Sequence, residues 1–283
     1  MRVFDEFTTP NVSKWKLDSL DALVEKFEDD LFETINCKSI KDEENYLNVL
    51  IQISKKTITT IREIMVLSAH GYPDGALSLS RNLYENFIIV SFFEIHIEEN
   101  AFESYVTNYF KGEEIQRLNH LIFAAKELEE GEQRIQNLNG IKGELIKTVT
   151  IRTKGDYWWA GGSNFAELVG KVEKYQKDVD IQKFYKKLHL AYKRACVSIH
   201  ASALGNQLQL GRNKKSNIID TRVTMEGFGL PLWLTISTFT YIVAATYKQL
   251  NIPFETVKED MNDLIVFYRD EQIEEIRREK SNG

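Results

Sequence analysis

Proline and cysteine are scarce in this chain. Four prolines and fifteen glycines serve 283 residues. Many-stranded folds with frequent tight turns use more turn formers than that, whereas long helices tolerate the composition. The two cysteines, Cys37 and Cys196, stand far apart and form neither a disulfide framework nor a Cys-x-x-Cys zinc pattern. A reducing cytoplasm is the simplest setting for them. No Gly-x-x-x-x-Gly-Lys, His-Glu-x-x-His or Gly-x-Ser-x-Gly sequence occurs, and Glu94-Ile-His96 lacks the Glu-x-x-His spacing of di-iron bundles. No cofactor is implied. No interval alternates apolar and polar residues for more than a few positions, and there is no internal repeat or low-complexity linker. The opening MRVFDEFTTPNVSKWK has no continuous apolar stretch of the signal-peptide type. Positive charge is not in excess either. Lys plus Arg is 36 against 42 Asp plus Glu, a net charge of −6. That balance argues against a broadly basic nucleic-acid surface and leaves room for a local basic groove.

What is present is helical periodicity. Leu20, Leu23, Val24, Phe27, Leu31 and Ile35 mark one face of a helix over 18–36, and the pattern resumes over 42–68. HGYPDG breaks it, with Gly71 as a C-cap and Pro73 opening the next helix over 74–96. Further helices are expected over 98–130, interrupted near Gly112, over 133–149, from Ser163 as N-cap through 176, over 181–203, over 230–250 and over 255–280. The stretch 228–247, FGLPLWLTISTFTYIVAATY, carries no formal charge and is long enough to span a bilayer. Its threonines, serine and proline favour a helix buried in protein, so no membrane is expected. The fold expectation is all-α: one domain over 1–283, a bundle of seven to nine helices. It has an N-terminal layer (17–60), a motif-bearing core (61–207) and C-terminal helices (221–280).

Three stretches, GALSLSRNLYENFI (75–88), WWAGGSNFAELVGKVE (158–173) and YKRACVSIHAS (192–202), together resemble a bacterial helical family known as domain of unknown function 5677. The resemblance covers roughly Ile61 to Gln207. It implies an Arg-x-x-x-Glu helix at Arg81 and Glu85, a Trp-Gly-Ser turn at Trp159, Gly162 and Ser163, and a Ser-x-His helix end at Ser198 and His200. That family brings no activity with it. The spacing of Arg194 and His200 also resembles the Arg-x4–6-His pattern of the HEPN superfamily, all-helical proteins of toxin–antitoxin and phage-defence systems that are often metal-independent ribonucleases. Ala195 departs from that pattern, because a polar residue commonly follows the arginine.

The candidate chemistry follows from these positions. Arg81 and Glu85 share a helix face at i, i+4 and either form a structural ion pair or hold a guanidinium toward a cleft. In the ribonuclease expectation His200 takes the proton of a ribose 2′-hydroxyl and Arg194 steadies the charge growing on the phosphate, with no metal. Otherwise His200 is a capping or core histidine. His189, Cys196 and His200 lie on nearly one helical face, but only Cys196 and His200 are close enough along the axis to share an ion, so no metal site is assigned. Trp159, Ser163 and Ser198, with Arg212, Lys214 and Lys215 of GRNKKSN, are binding candidates for bases or phosphates. The alternatives are a loop pinned by tryptophan and a solvated basic loop. The expected partners are an RNA substrate, a second copy of the chain, and an antitoxin or defence-system protein. The competing class is a non-catalytic interaction or ligand-binding protein in which the Arg, Glu and His side chains only organise the bundle.

Overall fold

The computed structural model describes residues 10–38, 45–129, 131–149, 155–162, 164–199 and 223–281. The chain is all-α, with ten α-helices and no strand among the described residues. They are α1 (Pro10–Lys14), α2 (Leu17–Lys38), α3 (Tyr46–Ala69), α4 (Pro73–His96), α5 (Phe102–Glu127), α6 (Glu132–Lys147), α7 (Phe165–Tyr175), α8 (Val179–Ile199), α9 (Gly229–Leu250) and α10 (Glu255–Ser281). A 3₁₀ turn, Trp158–Ala160, precedes α7. Ten helices replace the expected seven to nine because α1 is a single turn opened by proline, too short to show a period.

Contacts group the chain into two compact units. The first takes residues 1–41, 50–90 and 178–283, and the second takes 42–49 and 91–177.

The first unit is organised on α9, a helix long and apolar enough to cross a membrane by length and composition, yet 83% buried within the protein over its most apolar window. Its threonines are satisfied inside the helix. The hydroxyls of Thr235, Thr238, Thr240 and Thr246 each donate to the carbonyl four residues back at 2.8 Å, so burial leaves none of these four hydroxyls unpaired. Phe27 of α2 meets Phe239 edge-on at 5.6 Å and Tyr247 at 5.7 Å, while Tyr247 donates its hydroxyl to Asp30 at 2.5 Å. Ser54 of α3 and Thr246 lie 3.2 Å apart. From α10, the fully buried Tyr268 donates to the carbonyl of Trp15 at 2.8 Å. Glu275 accepts from the backbone N–H groups of Gly227 and Gly229 at 2.6 and 3.1 Å, filling the acceptor role at the start of α9. Burial, and then the neighbouring Glu226 and Glu271, outweigh those two bonds and push the Glu275 carboxyl up to about 7.

Gly71 terminates α3 with φ +83°, as the sequence leads one to expect of a C-cap. Its carbonyl accepts from Thr224 N–H at 3.1 Å, and a Cβ there would lie 2.7 Å from Val223 Cβ and 2.8 Å from Thr224 O.

The second unit is built around Trp159. The indole is 4% exposed, stacks on Phe93 at 5.3 Å and meets Phe92 and Tyr109 edge-on at 5.5 and 5.1 Å. Gly112 does not interrupt α5. A Cβ at that position would touch Trp158 at 3.4 Å and Trp159 at 3.7 Å, so the glycine lets the aromatic turn approach the helix closely. Lys171 of α7 donates to the carbonyl of Ala160 at 2.6 Å, and burial lowers its pKa. The N-cap of α7 is Asn164, whose side chain accepts from Glu167 N–H at 3.0 Å, one residue beyond the expected Ser163. Ser163 itself lies outside the described residues. α5 starts at Phe102 and not near Glu98, because the chain turns first: Glu99 accepts from Tyr175 hydroxyl at 2.5 Å and pairs with His96 at 2.8 Å.

Candidate functional site

The first half of α4 and the second half of α8, both in the first unit, bring a group of polar side chains together. Pro73 opens α4 with Asp74 in its first turn, and the next turns carry Arg81, Tyr84 and Glu85. On α8, Tyr185, Leu188, Ala191 and Ala195 are buried and fix which way the helix faces. His189, Tyr192 and Cys196 follow one another at spacings of three and four, which puts them on one stripe toward α4.

Arg81 Nε donates to Glu85 Oε1 at 2.9 Å. Tyr192 donates its hydroxyl to the same oxygen at 3.3 Å. The Arg81 guanidinium carbon stands 5.9 Å from the centre of the Tyr192 ring, within cation–π range. Tyr192 stacks against Tyr84 at 4.7 Å and lies nearly parallel to His189, while Tyr84 hydroxyl and His189 Nδ1 share a hydrogen bond of 3.1 Å. Burial penalises the Arg81 charge, but Glu85, Cys196 and Tyr192 together outweigh it and its pKa is raised. Burial also raises the Tyr192 pKa, helped by its bond to the Cys196 thiol and by the Glu85 charge.

The arrangement leaves part of the guanidinium uncommitted. Arg81 keeps 32% of its side chain exposed and Glu85 keeps 25%. Among the described residues only Nε of Arg81 is hydrogen-bonded, so both Nη groups are available as donors. A guanidinium edge with two parallel N–H groups, held from behind by a carboxylate and an aromatic ring, suits a planar or tetrahedral oxyanion.

The other candidates fall elsewhere. Arg194 is half-buried on α8, and two helical steps turn it roughly 160° away from Tyr192, onto a different face. Among the described residues it makes no hydrogen bond or ion pair with Arg81 or Glu85. Trp159 belongs to the second unit, where its burial leaves no ring face for a ligand. Gly162 is buried in the same turn and donates its N–H to Tyr157 O at 3.1 Å. His200, Arg212, Lys214 and Lys215 lie outside the described residues, as do the side chains of Ser198 and Cys37. No group of three or more His, Cys, Asp or Glu that could hold a metal occurs among the described residues.

Tyr84, His189, Tyr192 and Cys196 are members that sequence reasoning did not join to Arg81. The usable signal is the stripe His189, Tyr192, Cys196. As candidate metal ligands His189 and Cys196 draw attention away from the tyrosine between them.

A family model described as a family of unknown function, DUF5677, matches residues 47–217. The match opens within α3, before Ile61, and runs past Gln207. It gives no support to the HEPN resemblance. No curated protein and no solved structure matches the chain.

Proposed function

The chain belongs to the DUF5677 family, whose description carries no activity, and we propose from its side chains that it binds RNA and holds a backbone phosphate at Arg81. One observation carries the reading: Arg81 is fixed through Nε and the Tyr192 ring, its side chain stays about a third exposed, and among the described residues neither Nη group is hydrogen-bonded. A purely structural arginine would spend more of its five donors on the protein. Phosphate takes the free edge in bidentate form, and the half-buried setting strengthens such a bond over its value in water.

RNA as the ligand class comes from the Arg194–His200 spacing. Cleavage is a second step of the same proposal. His200 would remove the 2′-hydroxyl proton, and the 2′-oxygen would attack phosphorus. The bond to the 5′-oxygen would break with a proton returned to the leaving group, giving a 2′,3′-cyclic phosphate. The described imidazole near Arg81, His189, meets the Tyr84 hydroxyl through Nδ1. A toxin or defence role belongs to the cleavage step and would appear as growth arrest on expression.

The competing reading is structural. The Tyr192–Glu85 bond ties α8 to α4, which an interaction protein also needs. The test is anisotropy of a fluorescein-labelled 12-nucleotide single-stranded RNA with wild type, Arg81→Ala and Arg81→Lys. Arg81→Ala should weaken binding at least tenfold, with Arg81→Lys between. If Arg81→Ala binds as wild type does, Arg81 is structural and the reading is lost. Electrophoresis of the same RNA with His200→Ala and Arg194→Ala decides the cleavage step.

A further inference from the structure

Between Ile181 and Ile199 the chain carries five cations, Lys183, Lys186, Lys187, Lys193 and Arg194, and not one acid, although the whole chain is acidic. At 100° per residue all five fall within an arc of roughly 120° on the outer side of α8, along roughly 16 Å of its axis. The four lysines are exposed, and Leu190 at the middle of the arc is 66% exposed. Val179 lies in the same arc, 63% exposed. Among the described residues only Lys183 has an acidic partner, Asp180 at 3.0 Å. Lys186, Lys187, Lys193 and Arg194 have none among the described residues.

A solvated helix usually alternates acids with bases at i, i+3 and i, i+4, each pair adding a few tenths of a kcal/mol. Here the like-charge neighbours Lys183–Lys187 and Lys183–Lys186 oppose the helix, and a bound polyanion would relieve them. The opposite side of α8, with Tyr185, Leu188, Ala191 and Ala195, is buried in protein. The helix therefore has no continuous apolar face with which to enter a lipid surface. Two exposed apolar side chains set among cations suit unstacked bases, which a duplex keeps inside.

We infer that the outer face of α8, Lys183, Lys186, Lys187, Lys193 and Arg194 around Leu190, is a docking ridge for the backbone of single-stranded RNA. The choice of RNA among polyanions rests on the function proposed above; the ridge itself does not use Arg81. The two surfaces adjoin along one edge. Lys193 follows Tyr192, the ring over which Arg81 lies, and sits roughly 60° around the helix from Cys196, which sets the edge of the ridge next to that ring.

The test uses the full chain and the labelled 12-nucleotide RNA over a range of NaCl concentrations. Wild type should bind with a steep salt dependence, about 0.7 in logarithmic slope for each phosphate neutralised. Lys186→Glu/Lys187→Glu/Lys193→Glu should lose at least tenfold in affinity and make the slope shallower by about 2. The milder triple glutamine variant should lie between. All three residues are exposed, so melting temperature should hold. The control Lys55→Glu/Lys56→Glu/Lys258→Glu makes the same charge change on α3 and α10 and should bind within twofold of wild type. The ridge is wrong if its variants bind as wild type does, if the control loses as much, or if phosphatidylserine vesicles or polyglutamate displace the RNA from the ridge at equal charge concentration. Retained binding in Arg81→Ala with loss in the ridge variants keeps the ridge and removes the Arg81 reading; the reverse pattern does the opposite. No RNA binding by wild type removes both.

Discussion

Tyr192 and Glu85 are joined by a 3.3 Å hydrogen bond to the carboxylate oxygen that also accepts Arg81 Nε. One oxygen therefore links α8 to α4 and sets the guanidinium. Removing Glu85 alone strands a partly buried charge, whereas removing both partners also removes that penalty. Glu85→Ala should melt below wild type, and Arg81→Ala/Glu85→Ala should recover part of the loss. Both side chains are a quarter to a third exposed. Solvent screening thus holds the coupling to about 0.5–1 kcal/mol. Strict additivity in a double-mutant cycle from urea melts would show that the pair contributes nothing.

How far the sequence reveals this molecule can be judged at particular residues. The period of apolar residues locates nine helices, and Gly71 with Pro73 marks the α3–α4 boundary, because caps and amphipathic stripes are local properties. α1 escapes because five residues hold little more than one turn. Gly112 reads as a break because its partner, the Trp158–Trp159 turn, is distant in sequence. Arg81 and Glu85 are visible as an i, i+4 pair. Tyr192 as their third member is not, since which face of α8 meets α4 is decided by the burial of Tyr185, Leu188 and Ala195. Pairing of faces between helices is a tertiary property that no single helix encodes.

Glu275 gives the first unit a pH dependence. Its folded pKa, about 7, stands above the ordinary value of 4.5. Between those values the folded chain binds more protons than the unfolded one. The contribution is fully present below about pH 4.5 and is lost as pH rises through 7, on the order of 3 kcal/mol in all. Urea melts at pH 5, 6, 7 and 8 should show falling stability, corrected with Glu275→Gln, whose profile should be flatter over this range. Parallel profiles would remove Glu275 as the cause.

Gly71→Ala should be strongly destabilising. The left-handed backbone and the 2.7–2.9 Å approach of Val223 and Thr224 leave no room for a methyl group. A cost of about 2 kcal/mol or more is expected, read as a fall of roughly 4–8 °C in melting temperature. A melting temperature within about 1 °C of wild type would contradict the close Gly71–Thr224 contact.

Trp159→Ala should cost about 3–5 kcal/mol, because it empties the centre of an aromatic cluster. Far-UV circular dichroism and tryptophan fluorescence during urea titration would follow the loss. An unchanged midpoint would mean that the indole is not the anchor of the Trp158–Ala160 turn.

Helix α9 arrives late in the chain yet supplies the surface on which α2 and α3 close, through Phe27–Phe239, Asp30–Tyr247 and Ser54–Thr246. During synthesis, at about 5–20 residues per second, those early helices must wait tens of seconds at the slower rates with their oily sides uncovered. A nascent chain halted before Leu250 is thus a natural client for holdase chaperones and a ready substrate for proteases, and a mutation that slows translation of this last third would be felt first as lost yield.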